Sequence, residues 1–311
     1  MIAVLEILFP VFALGLLGFA AARLQAYPAG AMEGMTRFIF NIAAPVAVVR
    51  VLTQADLPDA IPWGLLGSFY IPLFGLYFLT AFVCRRAGVP AVDSVMMGYG
   101  GTYGNLVLVG LPVMMLVFGD QGLVPYFIIM PVHGVSMMVM TAVIVESVRA
   151  GPSADRLGVA RQVAVNPFVV GVIVGLTLRH LDMQLVGPLE KLALSLQQAL
   201  TPCALFTLGV SQAATSLGGH WRTVIPLVLM KNIGLPLCVF ALAYYVFDQS
   251  PLWTAVLVLT AAQPTGVLYF VFASRFGCRP ERAASVVSAS TAFSLISLPV
   301  LVWIFRAVGV A

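Results

Sequence analysis

The chain of 311 residues is 61% hydrophobic, 9% charged and carries a formal net charge of +4. Soluble domains carry about 25% charged residues, so the composition excludes a soluble globule. The low charge without a basic cluster excludes a nucleic-acid partner. Long unbroken apolar runs, instead of short segments of alternating polarity, predict an all-α polytopic membrane protein embedded in a lipid bilayer.

Ten apolar runs predict ten membrane spans in chain order. They lie at 2–23, 34–53, 62–84, 94–118, 122–147, 163–180, 188–216, 222–246, 251–275 and 282–307. Arginines concentrate in the odd-numbered loops, whereas the loop after span 2 holds Asp56 and Asp59 without Lys or Arg. The positive-inside rule therefore predicts both termini on the extracytoplasmic side.

Helix-breaking and small residues recur at a fixed spacing. The pairs that lie 157 positions apart are Pro10 and Pro167, Pro45 and Pro202, and Gly18 and Gly175. This spacing predicts a five-span repeat at 1–147, a cytoplasmic linker at 148–162 and a second repeat at 163–311. Because five is odd, the second copy enters the membrane from the opposite face, as in many transporters.

Spans 4 and 9 are predicted to be broken at mid-membrane. Each interior glycine weakens a helix by about 1 kcal/mol, and an interior proline costs about 3 kcal/mol. The predicted break residues are Gly100, Gly101, Gly104, Pro264 and Gly266. Gly119 and Gly277, which end spans 4 and 9, lie 158 positions apart, and at this spacing Asn105 is equivalent to Gln263. The alternative is that these residues only permit a kink or a close helix crossing.

Broken backbone within a bilayer is tolerated where it lines a cavity or is buried in protein, and half-helix N-termini attract anions. The breaks are therefore predicted to form a substrate site. The candidate binding residues are Gly104, Asn105, Gln263, Pro264, Thr265, Lys231 and His133. Alternatively, Lys231 snorkels to an interface, and His133 is a hydrogen-bonded core residue. Arg50 is expected to snorkel outward.

Acidic residues avoid the span centres, since Glu6 and Glu146 lie near span ends. Cation carriers generally use a mid-membrane carboxylate, so the sequence favours an anionic or neutral substrate. The four cysteines have no CxxC spacing, and neither a metal nor a cofactor is predicted. HExxH and GxSxG motifs are missing, which argues against an enzyme.

Four segments carry a resemblance to a known family. NIAAPVAVV (41–49), GNLVLVGLP (104–112), MKNIGLPL (230–237) and AAQPTGVLYFVFASRFG (261–277) resemble the auxin efflux carrier family. That family includes plant auxin exporters and bacterial carriers assigned to malonate, malate and related acids. The resemblance implies a scaffold of spans 1, 2, 6 and 7, and a transport domain of spans 3–5 and 8–10. It also implies that spans 4 and 9 cross at a carboxylate site, and that homodimers form through the scaffold.

Asn105 matches the asparagine of span 4 in this family, and Pro264 matches the crossing proline of span 9. Gly104 stands where plant members usually have a proline, and the long central loop of the plant exporters is missing. A bacterial inner-membrane carrier of a small organic acid is therefore expected, with malonate, malate, lactate or an auxin-like acid as substrate. The alternatives are a sodium-coupled bile-acid-type symporter and a membrane ligand sensor that does not transport.

Overall fold

The computed structural model describes residues 2–28, 31–54, 62–150, 165, 167–213 and 221–310. Most of the predicted linker at 148–162 lies outside these residues. In chain order the helices are α1 (Ile2–Arg23), α2 (Ala31–Gln54), α3 (Trp63–Arg86), α4 (Ala91–Gly100), α5 (106–118), α6 (120–150), α7 (Pro167–His180), α8 (Gly187–Ala213), α9 (Trp221–Val246), α10 (Pro251–Ala261), α11 (Leu268–Arg275) and α12 (Pro280–Ala307). Within the described ranges the one β-type pairing is an isolated antiparallel bridge between Gly104 and Thr265.

The helices confirm an all-α membrane protein. Five of the described helical stretches are long and apolar enough to cross a bilayer, namely α2, α3, Leu106–Val145, α9 and α12. Gly119 has a φ of 59° and a ψ of −153°, which glycine adopts without strain, and it separates α5 from α6. The arrangement of ten spans in two inverted repeats stays a prediction.

Prolines widen three helices instead of ending them. Pro45, Pro112 and Pro236 each lie two residues beyond a π-helical turn. The turns are Ile39–Ala43, Leu106–Gly110 and Met230–Gly234. Proline lacks an N–H and clashes with the carbonyl four residues earlier, and a wider turn relieves that clash. The turn in α9 holds two buried polar residues, Lys231 and Asn232.

The helices cluster into two compact units. The first covers 1–61, 107–131 and 161–214. It therefore includes α1, α2, α7 and α8, nearly all of α5 and the first part of α6. Inside it, α1 packs on α8, and the second half of α2 packs on α7. Gly18 of α1 lies against the backbone of Phe206, and Gly175 of α7 lies against Val49 and Leu52. Small residues of this kind let membrane helices approach closely.

Arg50 in this first unit does not snorkel, so that expectation is wrong. Its Nε donates to Glu190 Oε1 at 2.8 Å, and its Nη1 donates to Gln197 Oε1 at 2.9 Å. The Arg50 side chain is 11% exposed. Glu190 and Gln197 are two helical turns apart on one face of α8, where they offer Arg50 charge-assisted acceptors.

The second unit covers 62–106, 132–160 and 215–311. Inside it, α3 packs on α4, the second half of α9 packs on α10, and α11 packs on α12. Arg282 near the start of α12 is paired with Asp93 near the start of α4, with Nη2 and Oδ1 2.5 Å apart. The polar residues that sequence analysis singled out in spans 4, 8 and 9 all belong to this unit.

Candidate functional site

Two helix interruptions meet in the second unit. Helix α4 ends at Gly100 before α5 begins at Leu106, and α10 ends at Ala261 before α11 begins at Leu268. The segments 101–105 and 262–267 run antiparallel and pair through their backbones. Asn105 N–H donates to Pro264 O at 2.7 Å, and Gly266 N–H donates to Tyr103 O at 3.1 Å. We call these eleven residues the crossing, and the two segments its arms.

Glycines permit the close approach of the arms. A Cβ atom on Gly266 would overlap the Tyr103 ring, and one on Gly100 would overlap the Tyr269 ring. The predicted break residues therefore act sterically as well as through their low helix propensity. Gly100 ends α4 at the edge of the crossing. The other predicted residues that lie within the crossing are Gly101, Gly104, Asn105, Gln263, Pro264, Thr265 and Gly266.

The backbone N–H groups of the bridging residues are bonded to side chains. Gly104 N–H donates to His133 Nε2 at 3.1 Å, and Thr265 N–H donates to Ser290 Oγ at 2.9 Å. His133 is 2% exposed and stacks on Tyr103 with ring centroids 5.1 Å apart. Since Nε2 accepts, the neutral ring carries its proton on Nδ1, for which no described residue provides a partner.

Lys231 brings a buried cation to the crossing. Its Nζ donates to Ala261 O at 2.5 Å, at the C-terminal end of α10, where a helix favours positive charge. The residue is 1% exposed, and no carboxylate of the described chain pairs with it. A Cβ atom on Gly104 would lie 3.6 Å from Nζ, so the ammonium group borders the other arm. This position contradicts the snorkelling alternative.

Asn105 and Gln263 are both buried, at 6% and 0% exposure. Gln263 Nε2 donates to Leu259 O at 2.9 Å, while its Oε1 has no partner among the residues described. The bridge pairs Gly104 with Thr265, which lie 161 positions apart in the chain.

A matched pair of side-chain bonds follows the same 161-residue spacing. Thr102 Oγ1 donates to Gly98 O at 2.8 Å, just as Gln263 donates to Leu259. The equivalence of Asn105 and Gln263 at a spacing of 158 positions stays a prediction.

Two polar residues around the crossing, Ser290 and Asn232, were not among the residues predicted from the sequence. Ser290 Oγ donates to Asn232 Oδ1 at 2.6 Å, and Asn232 Nδ2 lies 3.5 Å from Ala262 O. Thr265 Oγ1 donates to Gly100 O at 3.0 Å, which ties the second arm to α4. One sequence signal was available for Ser290, because it lies 157 positions after His133.

The charge balance around the crossing suits an anion. In the second unit, described side chains with a carboxylate belong to Asp93, Asp248 and Glu281, which lie at helix ends or in a turn. Asp93 is already paired with Arg282. A buried ammonium group among neutral amides and hydroxyls would therefore attract a carboxylate. In the described chain no three metal-ligating side chains cluster, and the four cysteines are free.

Comparisons with known proteins agree with a transport role. The sequence model of the family described as "Membrane transport protein" matches residues 3–302. A protein of Rhizobium meliloti (strain 1021) named "Putative malonate transporter" is 26% identical over 304 residues, which cover 96% of this chain and 94% of that protein. The family and the name of this relative both indicate a transporter.

Proposed function

The chain belongs to this membrane transport family, as the resemblance to auxin efflux carriers predicted, and we propose that it is a secondary transporter of a small organic carboxylate. The observation that carries the proposal is Lys231, a buried cation without a carboxylate partner among the described residues, beside the paired arms of two interrupted helices. Malonate is the first candidate substrate because a relative that spans nearly the whole chain is named for it. Malate, lactate and auxin-like acids are the other candidate substrates.

Each group at the crossing has a proposed role. Lys231 neutralises the substrate carboxylate, and the Asn105 and Gln263 amides hydrogen-bond to its polar groups. His133 can offer its Nδ1–H, because its Nε2 is already bonded. The remaining predicted binding residues are Gly104, Pro264 and Thr265, whose backbone atoms line the site.

Alternating access by two inverted five-span repeats, with spans 1, 2, 6 and 7 as scaffold, is part of the proposal. A matched helix contact in the first unit supports it. Gly18 contacts Phe206 between α1 and α8, and Gly175 contacts Val49 between α7 and α2. The spacing is 157 positions from Gly18 to Gly175 and again from Val49 to Phe206. A repeat of spans 1 and 2 as spans 6 and 7 would produce both contacts.

The proposed location is the bacterial inner membrane, with both termini on the extracytoplasmic side. Its support is the one-sided distribution of arginines and the bacterial source of the relative. A homodimer formed through spans 1, 2, 6 and 7 completes the proposal.

Counterflow measures this function directly. Proteoliposomes loaded with unlabelled malonate should accumulate labelled malonate through the wild-type carrier, with malate and lactate tested in parallel. Runs with and without a sodium gradient distinguish a sodium-coupled symporter. Malonate-dependent thermal stabilisation without any flux would identify a sensor and contradict the proposed transport.

Asn105→Ala tests the site within this assay. Loss of one hydrogen bond to a charged ligand costs about 1.5–3 kcal/mol, so KM for malonate should rise roughly 10- to 100-fold. Asn41→Ala is the matched control, because Asn41 is exposed on α2 in the other unit. An unchanged KM in Asn105→Ala would remove this residue from the site.

A further inference from the structure

The two residues that form the bridge are held in the same way from two different helices. Gly104 N–H donates to His133 Nε2 of α6, and Thr265 N–H donates to Ser290 Oγ of α12. Both acceptor residues are buried, at 2% and 0% exposure. They lie 157 positions apart, the spacing that also relates Gly18 to Gly175. Two such bonds at corresponding places indicate that both arms of the crossing have the same structural requirement.

The requirement follows from the helix breaks. Both N–H groups lie in arm segments outside the helices, and the arms are buried except for the half-buried Val267. A buried N–H without a partner costs about as much as a lost hydrogen bond, and more where water is excluded. The arms therefore need acceptors from outside, and these acceptors fix where each arm sits.

Both side chains are set to accept. The imidazole of His133 is stacked on Tyr103 and lies edge-on to Phe69, with ring centroids 5.8 Å apart, which fixes the direction of Nε2. The hydroxyl of Ser290 donates its hydrogen bond to Asn232 Oδ1 at 2.6 Å, so its oxygen lone pairs can accept from Thr265 N–H. Both acceptors thus hold backbone without occupying the Asn105 side chain or Lys231 Nζ.

We infer that His133, through Nε2, and Ser290 are a matched pair of positioning residues, each of which holds one arm of the crossing in its substrate-binding geometry. This inference deepens the proposed function and rests on it for the effect on substrate. His133 holds the arm at 101–105, and Ser290 holds the arm at 262–267. Loss of either acceptor should loosen its own arm first.

Hydrogen exchange of the full-length purified carrier tests the positioning without any substrate. His133→Leu should speed amide exchange about tenfold in 101–105, and Ser290→Ala should do so in 262–267. Ser288→Ala is the matched control, since Ser288 is a buried serine of the same helix whose hydroxyl has no partner among the described residues. Ser290→Ala removes a single oxygen, so it keeps the test decisive if His133→Leu does not fold.

Malonate transport gives the second measurement. KM should rise about tenfold in Ser290→Ala, with the maximal rate per folded carrier within twofold of the wild type. A role in folding alone would lower the amount of folded carrier and leave KM unchanged. Because glutamine places an amide group near the Nε2 position, His133→Gln should recover KM better than His133→Leu, and Ser290→Thr should recover it better than Ser290→Ala.

The outcomes separate this inference from the proposed function. Faster exchange of the matching arm together with a raised KM supports both. If the variants exchange faster but the wild type transports no acid, the positioning role is supported and the carboxylate substrate is overturned. Exchange that stays unchanged in both arms, or an equal effect of Ser288→Ala, overturns the positioning role. If exchange is faster but KM is unchanged, the two residues only stabilise the structure, and this result also overturns the inference.

Discussion

Lys231→Met should reduce malonate transport roughly 100-fold, whereas Lys191→Met should leave it unchanged. Two unit charges about 4 Å apart interact by about 4 kcal/mol at an effective dielectric constant of about 20. Even half to three quarters of that energy corresponds to a loss of roughly 30- to 150-fold in affinity. The chain contains only these two lysines, and Lys191 is exposed on α8, so the control removes an equal charge.

The stability of Lys231→Met separates a binding role from a structural one. A buried ammonium group without an anion is costly, so an apolar side chain of similar length should keep the melting temperature or raise it. The variant also loses the bond to Ala261 O, which opposes that gain. Loss of transport in a variant that folds and melts like the wild type supports the anion site. Full transport by Lys231→Met would contradict it.

Hydropathy predicted the helices because long apolar runs leave few alternatives in a bilayer. The first predicted run, 2–23, has the same ends as α1, and the run 222–246 differs from α9 by one residue. Interruptions at Gly104 and Pro264 were readable because glycine and proline change the backbone itself. That each interruption belongs to a substrate site is still a proposal.

Long-range polar pairing was not readable from the sequence. Arg50 resembled a snorkelling side chain because its partners on α8 are 140 and 147 positions away. Ser290 is one of several serines in its span, and its contacts with Thr265 and Asn232 distinguish it from the others. Partners of this kind are fixed by packing in three dimensions.

A graded series of glycine substitutions should follow the space that each site offers. Alanine improves helix propensity by about 1 kcal/mol, so Gly75→Ala, whose Cβ would contact nothing, should be neutral or slightly stabilising. Gly175→Ala meets Leu52 Cβ at 3.0 Å and Val49 Cα at 3.3 Å, which a small shift of α2 can relieve. Gly175→Ala should therefore lower the free energy of unfolding by about 1 kcal/mol.

Gly18→Ala and Gly209→Ala should destabilise the carrier most, by about 3 kcal/mol each, with a large fall in melting temperature. Their new Cβ atoms would overlap the backbone carbonyls of Phe206 and Gly15, which belong to helices and cannot turn aside. Because α1 and α8 would have to separate, the first unit should open before the second. Thermal unfolding in detergent, with hydrogen exchange for each unit, gives the order. If Gly18→Ala proved no worse than Gly175→Ala, the close packing of α1 on α8 would be wrong.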